Sequence, residues 1–366
     1  MVEQIKYPYK PDTISPPGQT LADIIEERGM TQVELAQRTG RPVKTINEII
    51  KGKAAITSET AIQLENVLGT AAEFWNQREA NYRAYIARRK EAEELRPQQE
   101  WLKQFPVEKM KVRGWIPKRH YTAAEMMICL LKYFGVATPE QWETIWPQRQ
   151  YAFRKSMSRS TDAGATIVWL RQGEIEGGLI ECQPYHREAL VSALNDMRAL
   201  TVEIKPAIFI PKLRGICAAC GVAVVFVKPF AKVPVYGASC WLKPDKAMIQ
   251  LSVRGKTADI LWFTIFHELG HVLIHGKKDR YVEMEASPLA RLPEEDKADA
   301  FAAETLIPRE KLDKWLSQNP PLSIREVMTF ATSIGVAPGI VVGRLQHSGK
   351  IQFSMMNGLK FRYIWE

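Results

Sequence analysis

Apolar positions fall along this chain in distinct rhythms, and each rhythm predicts a different element. Leu21, Ile24 and Ile25, then Val33, Leu35 and Ala36 after a break at Gly29, mark short helices. Thr31 is placed to cap the second of these, which ends in a turn at Gly40. A third helix is expected from Val43 to Ile50, with Pro42 in its first turn and Gly52 at its end. Apolar runs at 222–227, 237–242 and 248–253, bounded by Pro and Gly, read as three short strands. Residues 260–266 are apolar almost all round, the pattern of a helix buried inside a domain. Helical spacing returns at 323–334 and 338–346, before an aromatic tail.

The segments between these rhythms set the domain plan. Residues 1–18 are rich in Pro, Tyr and Lys, and Ser15-Pro16-Pro17-Gly18 opposes a helix, so they form an N-terminal arm. Residues 19–90 form a helical bundle. Residues 91–200 are helical in pattern and aromatic-rich, with Trp101, Trp115, Trp142, Trp146 and Trp169, and make a helical linker or middle domain. Residues 201–310 mix strands with helices, and 311–366 are a helical extension. The expected fold is therefore multi-domain and mainly α, with one small α+β domain carrying a short β-sheet.

At 366 residues the chain is long enough for two or three domains, each burying a core. Its formal net charge of +9 biases it toward acidic partners such as nucleic acid. No run of eighteen apolar residues occurs and the first residues lack a signal-peptide core, so no membrane is expected and the cytoplasm is the default compartment. Five cysteines, Cys129, Cys182, Cys217, Cys220 and Cys240, do not make a disulfide framework in a chain of this size. Cys217 and Cys220 have CxxC spacing, but no second pair follows, so they are read as buried packing. Basic residues recur at Lys109, Lys111, Arg113, Lys118 and Arg119, then at Arg149, Arg154, Lys155 and Arg159. These are read as a solvated helical face, with a second nucleic-acid surface or a sensor pocket as the alternatives.

The buried helix at 260–266 runs on into His267-Glu268-Leu269-Gly270-His271. Residues four apart share a helical face, so His267 and His271 can offer two imidazole nitrogens to one metal ion. Glu268 is placed to take a proton from an attacking water, the arrangement of zinc peptidases. Glu295 is the candidate third ligand, with its neighbour Glu294 leaving the assignment open by one residue. Asp299, four residues after Glu295, can accept the second ring N–H of a ligand histidine and fix its tautomer. Ala298 and Ala302 would allow two helices to approach closely. His275 follows His271 by four residues and is read as a supporting or surface residue.

HELGHVLIH followed by ExxADAFAAETLIP resembles the ImmA/IrrE metallopeptidases, over about residues 208–308. The resemblance implies a zincin-like domain in which His267, His271 and Glu295 hold Zn2+ and Glu268 is the catalytic acid/base. The family often has Ala-Asn where this chain has Ala298-Asp299. In peptidases of this kind an edge strand beside the histidine helix pairs with extended substrate, and residues 237–242 are the candidate strand.

A short helix, a turn and a second helix with exposed polar residues is the helix-turn-helix layout, in which the second helix enters the major groove. Here Ile46 and Ile49 would face the core, leaving Val43, Lys44, Asn47 and Glu48 toward base edges. Arg41, Lys51 and Lys53 would contact phosphates, as would Gln32 at the start of the preceding helix. TQVELAQRTG through IIKGKAAIT into LENVLGTAAEFW resembles the Cro/C1-type (XRE) helix-turn-helix, and more narrowly the HigA-like antitoxins, over about residues 18–85. That implies a homodimer on a palindromic DNA operator. Together the features imply a transcriptional regulator whose zinc endopeptidase cleaves a protein partner, a repressor or toxin, or the chain itself. The alternatives are a HigA-like antitoxin and autorepressor, or a ligand sensor whose peptidase fold is non-catalytic.

Overall fold

A computed structural model describes residues 14–154, 162–231, 233–252, 257–275, 281–284, 293–318 and 323–363. Its contacts divide into two compact units, one comprising the described residues up to Gln99 with Tyr121–Ile128, the other Glu100–His120 with the described residues from Cys129 onward.

The first unit is a bundle of α1 (Pro17–Glu27), α2 (Gln32–Thr39), α3 (Val43–Ile50), α4 (Ser58–Leu68) and the first part of α5 (Ala72–Leu95). Thr31 caps α2 by accepting the Glu34 N–H at 3.1 Å. Gly40 ends α2 at φ 66°, a left-handed conformation that costs glycine no Cβ clash. Pro42 is the N-cap of α3, one position before the helix proper. Leu21, Leu35, Ile46, Ile49, Leu64 and Trp75 fill the core, so α2 and α3 are held by their apolar stripes and turn their polar faces outward.

After α6 (Val107–Val112), α7 (Ala123–Phe134) and α8 (Pro139–Arg154), the second unit is built on a four-stranded sheet. Its helices α9 (Ala163–Leu179), α10 (Arg187–Ala199) and α11 (Pro206–Ala219) precede strands β1 (Val222–Phe226), β2 (Val235–Lys243) and β3 (Lys246–Leu251). Helix α12 (Ala258–Ile274) and strand β4 (Tyr281–Met284) follow. The remaining helices are α13 (Pro293–Leu306), α14 (Arg309–Gln318), α15 (Ile324–Ile334) and α16 (Pro338–His347).

The strand order is β1-β3-β2-β4, with β1 parallel to β3, and β2 antiparallel to both β3 and β4. This corrects the placement expected for residues 237–242. Gly237, Ala238 and Ser239 lie inside the sheet, paired to β3 on one side and β4 on the other, the rest of the stretch is paired only to β3 among the described residues, and β4, which the sequence pattern did not announce, is the edge strand. Alternation along β3 sends Ala247, Ile249 and Leu251 into the core shared with α11 and α12. Met248 and Gln250 turn to the other face, where α9 covers the sheet and the Gln250 amide donates to the Trp169 carbonyl at 2.8 Å. A helix from the stretch read as a middle region therefore forms one layer over the sheet. No single helix among the described residues is long and apolar enough to cross a membrane.

None of the five cysteines is joined in a disulfide. Cys217 is buried in α11 with its Sγ 3.8 Å from the Met197 sulfur, and burial pushes its thiol well above the usual range, as expected of packing rather than redox chemistry.

Candidate functional site

Helix α12 is apolar on nearly every side and buried along most of its length, so Trp262, Ile265, Phe266 and Leu269 fix its position by packing. That packing leaves His267, Glu268 and His271 no freedom to reach solvent. All three are at most 2% exposed. Burying them can be stable only if their polar atoms are satisfied.

Helix α13 supplies the counterpart. A Cβ on Gly270 would lie 3.3 Å from the Ala298 Cα and 3.0 Å from the Phe301 ring, so the small residues Gly270, Ala298 and Ala302 set how close the two helices come. At that separation the Glu295 Oε2 lies 3.1 Å from the His267 Nε2 and 3.6 Å from the His271 Nε2. The two Nε2 atoms are 3.0 Å apart. Of the neighbouring glutamates it is Glu295 that points at the imidazoles, whereas the Glu294 carbonyl accepts from the His275 ring at 3.3 Å.

The His267 Nδ1 is 2.9 Å from the Asp299 Oδ1, which as an acceptor selects the tautomer with the proton on Nδ1. The His267 Nε2 then presents a lone pair toward the ligand atoms of His271 and Glu295, all within 4.8 Å of one another. Lone pairs converging at this distance repel unless a proton or a metal cation lies among them. Two buried histidines with one half-buried carboxylate make the donor set that zinc takes in hydrolytic sites, so the residues fit the ion.

Local electrostatics agree. Burial lowers the His271 pKa below the ordinary imidazole value, although Glu295 pulls the other way, which favours the neutral ring a metal requires. For Glu295, burial works to raise the pKa. Protons that His267 and His271 can direct at it from Nε2 outweigh burial and hold the carboxyl at about 2, a stabilisation that a metal cation among the three groups would replace.

Glu268 projects toward β2 and lies against its backbone. A Cβ on Gly237 would fall 2.5 Å from the Glu268 Oε1 and 2.8 Å from the Thr264 Cγ2. A glycine at the third position of β2 is therefore what makes room for that carboxylate. Sequence reasoning passed over Gly237, although an isolated glycine inside a strand pattern is a known sign of close approach.

The expected nucleic-acid face lies on α2 and α3. Val43 and Lys44 are exposed at the start of α3, Lys44 with 85% of its side chain in solvent. Asn47 donates to the Gln32 side chain at 3.2 Å, joining the two helices through polar groups that face away from the core. Glu48 lies 4.0 Å from Lys44, and Lys51 and Lys53 are exposed beyond the helix end. Arg41 is drawn inward instead, donating to Gln63 at 2.7 Å and pairing with Glu59 at 3.3 Å.

Two family models match. Residues 21–75 match the helix-turn-helix model, and residues 221–346 match the model of the IrrE N-terminal-like domain. Among solved structures, the chain is similar to a protein described as an antidote of a plasmid maintenance system from Nostoc punctiforme, at 29% identity and TM-score 0.22, over 22% of this chain and 88% of that one. It is also similar to an addiction module antidote protein of a HigA family from Coxiella burnetii, at 26% identity and TM-score 0.21, over 22% of this chain and 90% of that one. A third is the Pseudomonas aeruginosa antitoxin HigA with higBA promoter, at 22% identity and TM-score 0.22, over 23% and 92%. No curated protein matches the chain.

Proposed function

We propose that this chain, a helix-turn-helix domain joined to an IrrE N-terminal-like domain, is a DNA-binding regulator whose second domain is a zinc-dependent endopeptidase acting on a protein partner or on itself. The observation that carries this reading is the convergence of His267, His271 and Glu295 beside the buried carboxylate of Glu268.

His267, His271 and Glu295 would hold the ion, and zinc when bound supplies Lewis acidity that brings the pKa of a water toward neutrality. Asp299 keeps the His267 ring in the tautomer that ligates. Glu268 takes the proton of the attacking water and delivers it to the leaving amine. Its confinement against Gly237 holds the carboxylate in one place for both transfers. The outer edge of β4, paired only to β2 among the described residues, is the element on which an extended peptide backbone can lie.

Lys44, Asn47 and the exposed start of α3 read base edges, while Lys51, Lys53 and Gln32 take phosphates. A homodimer would meet a palindromic operator with half-sites about one helical turn apart. The protein partner is a repressor or a toxin, and the cytoplasm is the compartment that holds both it and the operator.

Glu268→Gln tests the reading, because only proton transfer needs an ionisable carboxylate at that position. The variant is expected to keep zinc and DNA binding while losing cleavage of candidate partners followed by mass spectrometry. If the variant supports the regulated response as the unaltered chain does, while loss of the zinc ligands abolishes it, the second domain is a sensor and not a peptidase.

A further inference from the structure

The formal charge of +9 is unevenly placed. The fourteen Lys and Arg of residues 1–99 are balanced by fourteen Asp and Glu, so the region that contains the helix-turn-helix carries no net charge. Residues 100–120, which belong to the other unit, hold six Lys and Arg against two Glu. Electrostatic attraction to a polyanion scales with the cations that reach it, so the cations on the helix-turn-helix face compete with the carboxylates of their own domain.

The segment 106–119 is also a rigid platform. Met110 and Ile116 are buried, the Trp115 N–H donates to the Met110 carbonyl at 3.0 Å, and the Gly114 N–H donates to the Lys111 carbonyl at 3.1 Å. Arg113 anchors the segment to the loop after β1, donating to the carbonyls of Lys228 and Pro229 with its guanidinium 4.1 Å from the Phe230 ring centroid. Lys111 is paired with Glu108 and Lys103 with Glu100. What the platform leaves toward solvent is Lys109, Lys118 and Arg119. The first two form no ion pair among the described residues, and Arg119 stays exposed while one of its guanidinium N–H groups donates to the His120 carbonyl at 3.3 Å.

We propose that Lys109, Lys118 and Arg119 form a second, sequence-independent contact with the phosphate backbone of duplex DNA, supplying attraction that the neutral helix-turn-helix region lacks. Three long cationic side chains on a fixed base suit phosphates, which need charge rather than a shaped donor pattern. The inference rests on the reading of the chain as a DNA-binding protein.

The test compares three forms of the full chain on a mixed-sequence DNA duplex across a salt series. One is unaltered, one carries Lys109→Gln, Lys118→Gln and Arg119→Gln together, and one carries Lys205→Gln, Lys212→Gln and Lys311→Gln, which removes the same charge elsewhere on the same unit. The dependence of log K on log salt should become shallower by about 2 to 3 in the first triple variant, at roughly 0.9 for each phosphate no longer neutralised. It should change little in the second, with zinc content and melting temperature preserved in both. An unchanged slope in the first variant, or an equal fall in both, overturns the proposal. If the unaltered chain binds no duplex at all, the DNA-binding reading falls first and takes this surface with it.

Discussion

The two regions that carry chemistry are built in opposite ways. The proposed nucleic-acid face is a set of side chains on and beside α2 and α3 that mostly reach into solvent, apart from the Asn47–Gln32 pair and the inward-drawn Arg41. The candidate metal centre is assembled from α12, α13 and β2, its histidines and Glu268 buried and its α13 carboxylates half-buried against them. At the first, a residue contributes its own increment and can be removed alone. At the second, each residue is held by another and removal spreads.

The largest effect expected from this contrast is at His271. Replacing it with Ala removes one of three converging donors and leaves the half-buried Glu295 with a single imidazole partner. The variant should lose stoichiometric zinc by metal analysis while DNA affinity is unchanged. Full zinc in His271→Ala would break the comparison, since the site would then not depend on its parts.

Asp299 should show a smaller effect of the same kind. It touches His267 and is not one of the three converging donors, so Asp299→Ala is expected to weaken zinc affinity about 10- to 100-fold. Asp299→Asn keeps an acceptor oxygen for the Nδ1–H and should restore most of that loss. Competition with a chromophoric chelator measures both. Equal weakening in the two variants would mean that charge, not the fixed tautomer, is what Asp299 contributes.

The same contrast explains how far the sequence could be read. His267, Glu268 and His271 lie on one helix, and Glu295 and Asp299 are one turn apart on another, so helical period alone suggested which atoms share a face. The capping of α2 by Thr31 and its end at Gly40 are local events, legible for the same reason. What pairs with what across the sheet is not local. Residues 281–284 are too few to show alternation, so the edge strand went unseen and β2 was given its place. Helix α9 reads as a helix, but Thr166, Ile167, Val168 and Trp169 are all buried, and no periodicity in them says that a sheet lies on one side. The absence of a side chain at Gly237 gains meaning only from Glu268 opposite.

At the nucleic-acid face the expected effects are the smallest, and they separate by position. Lys44 stands on the first turn of α3 with its chain in solvent, where it can meet a base edge, whereas Lys53 lies past the helix end, where the backbone would run. Lys44→Ala should therefore cost about 1 kcal/mol or more on the preferred operator and less on other duplexes, narrowing the preference between them. Lys53→Ala should weaken all duplexes alike and make the salt dependence shallower by roughly 0.9, the share of one phosphate. Both can be measured on one panel of duplexes at several salt concentrations, with zinc content as the control for the buried site. Because neither side chain is held by another element, the two changes should add when combined. A combined loss well beyond the sum would mean that the two positions are coupled, and the surface would then resemble the metal centre in the one property that distinguishes them.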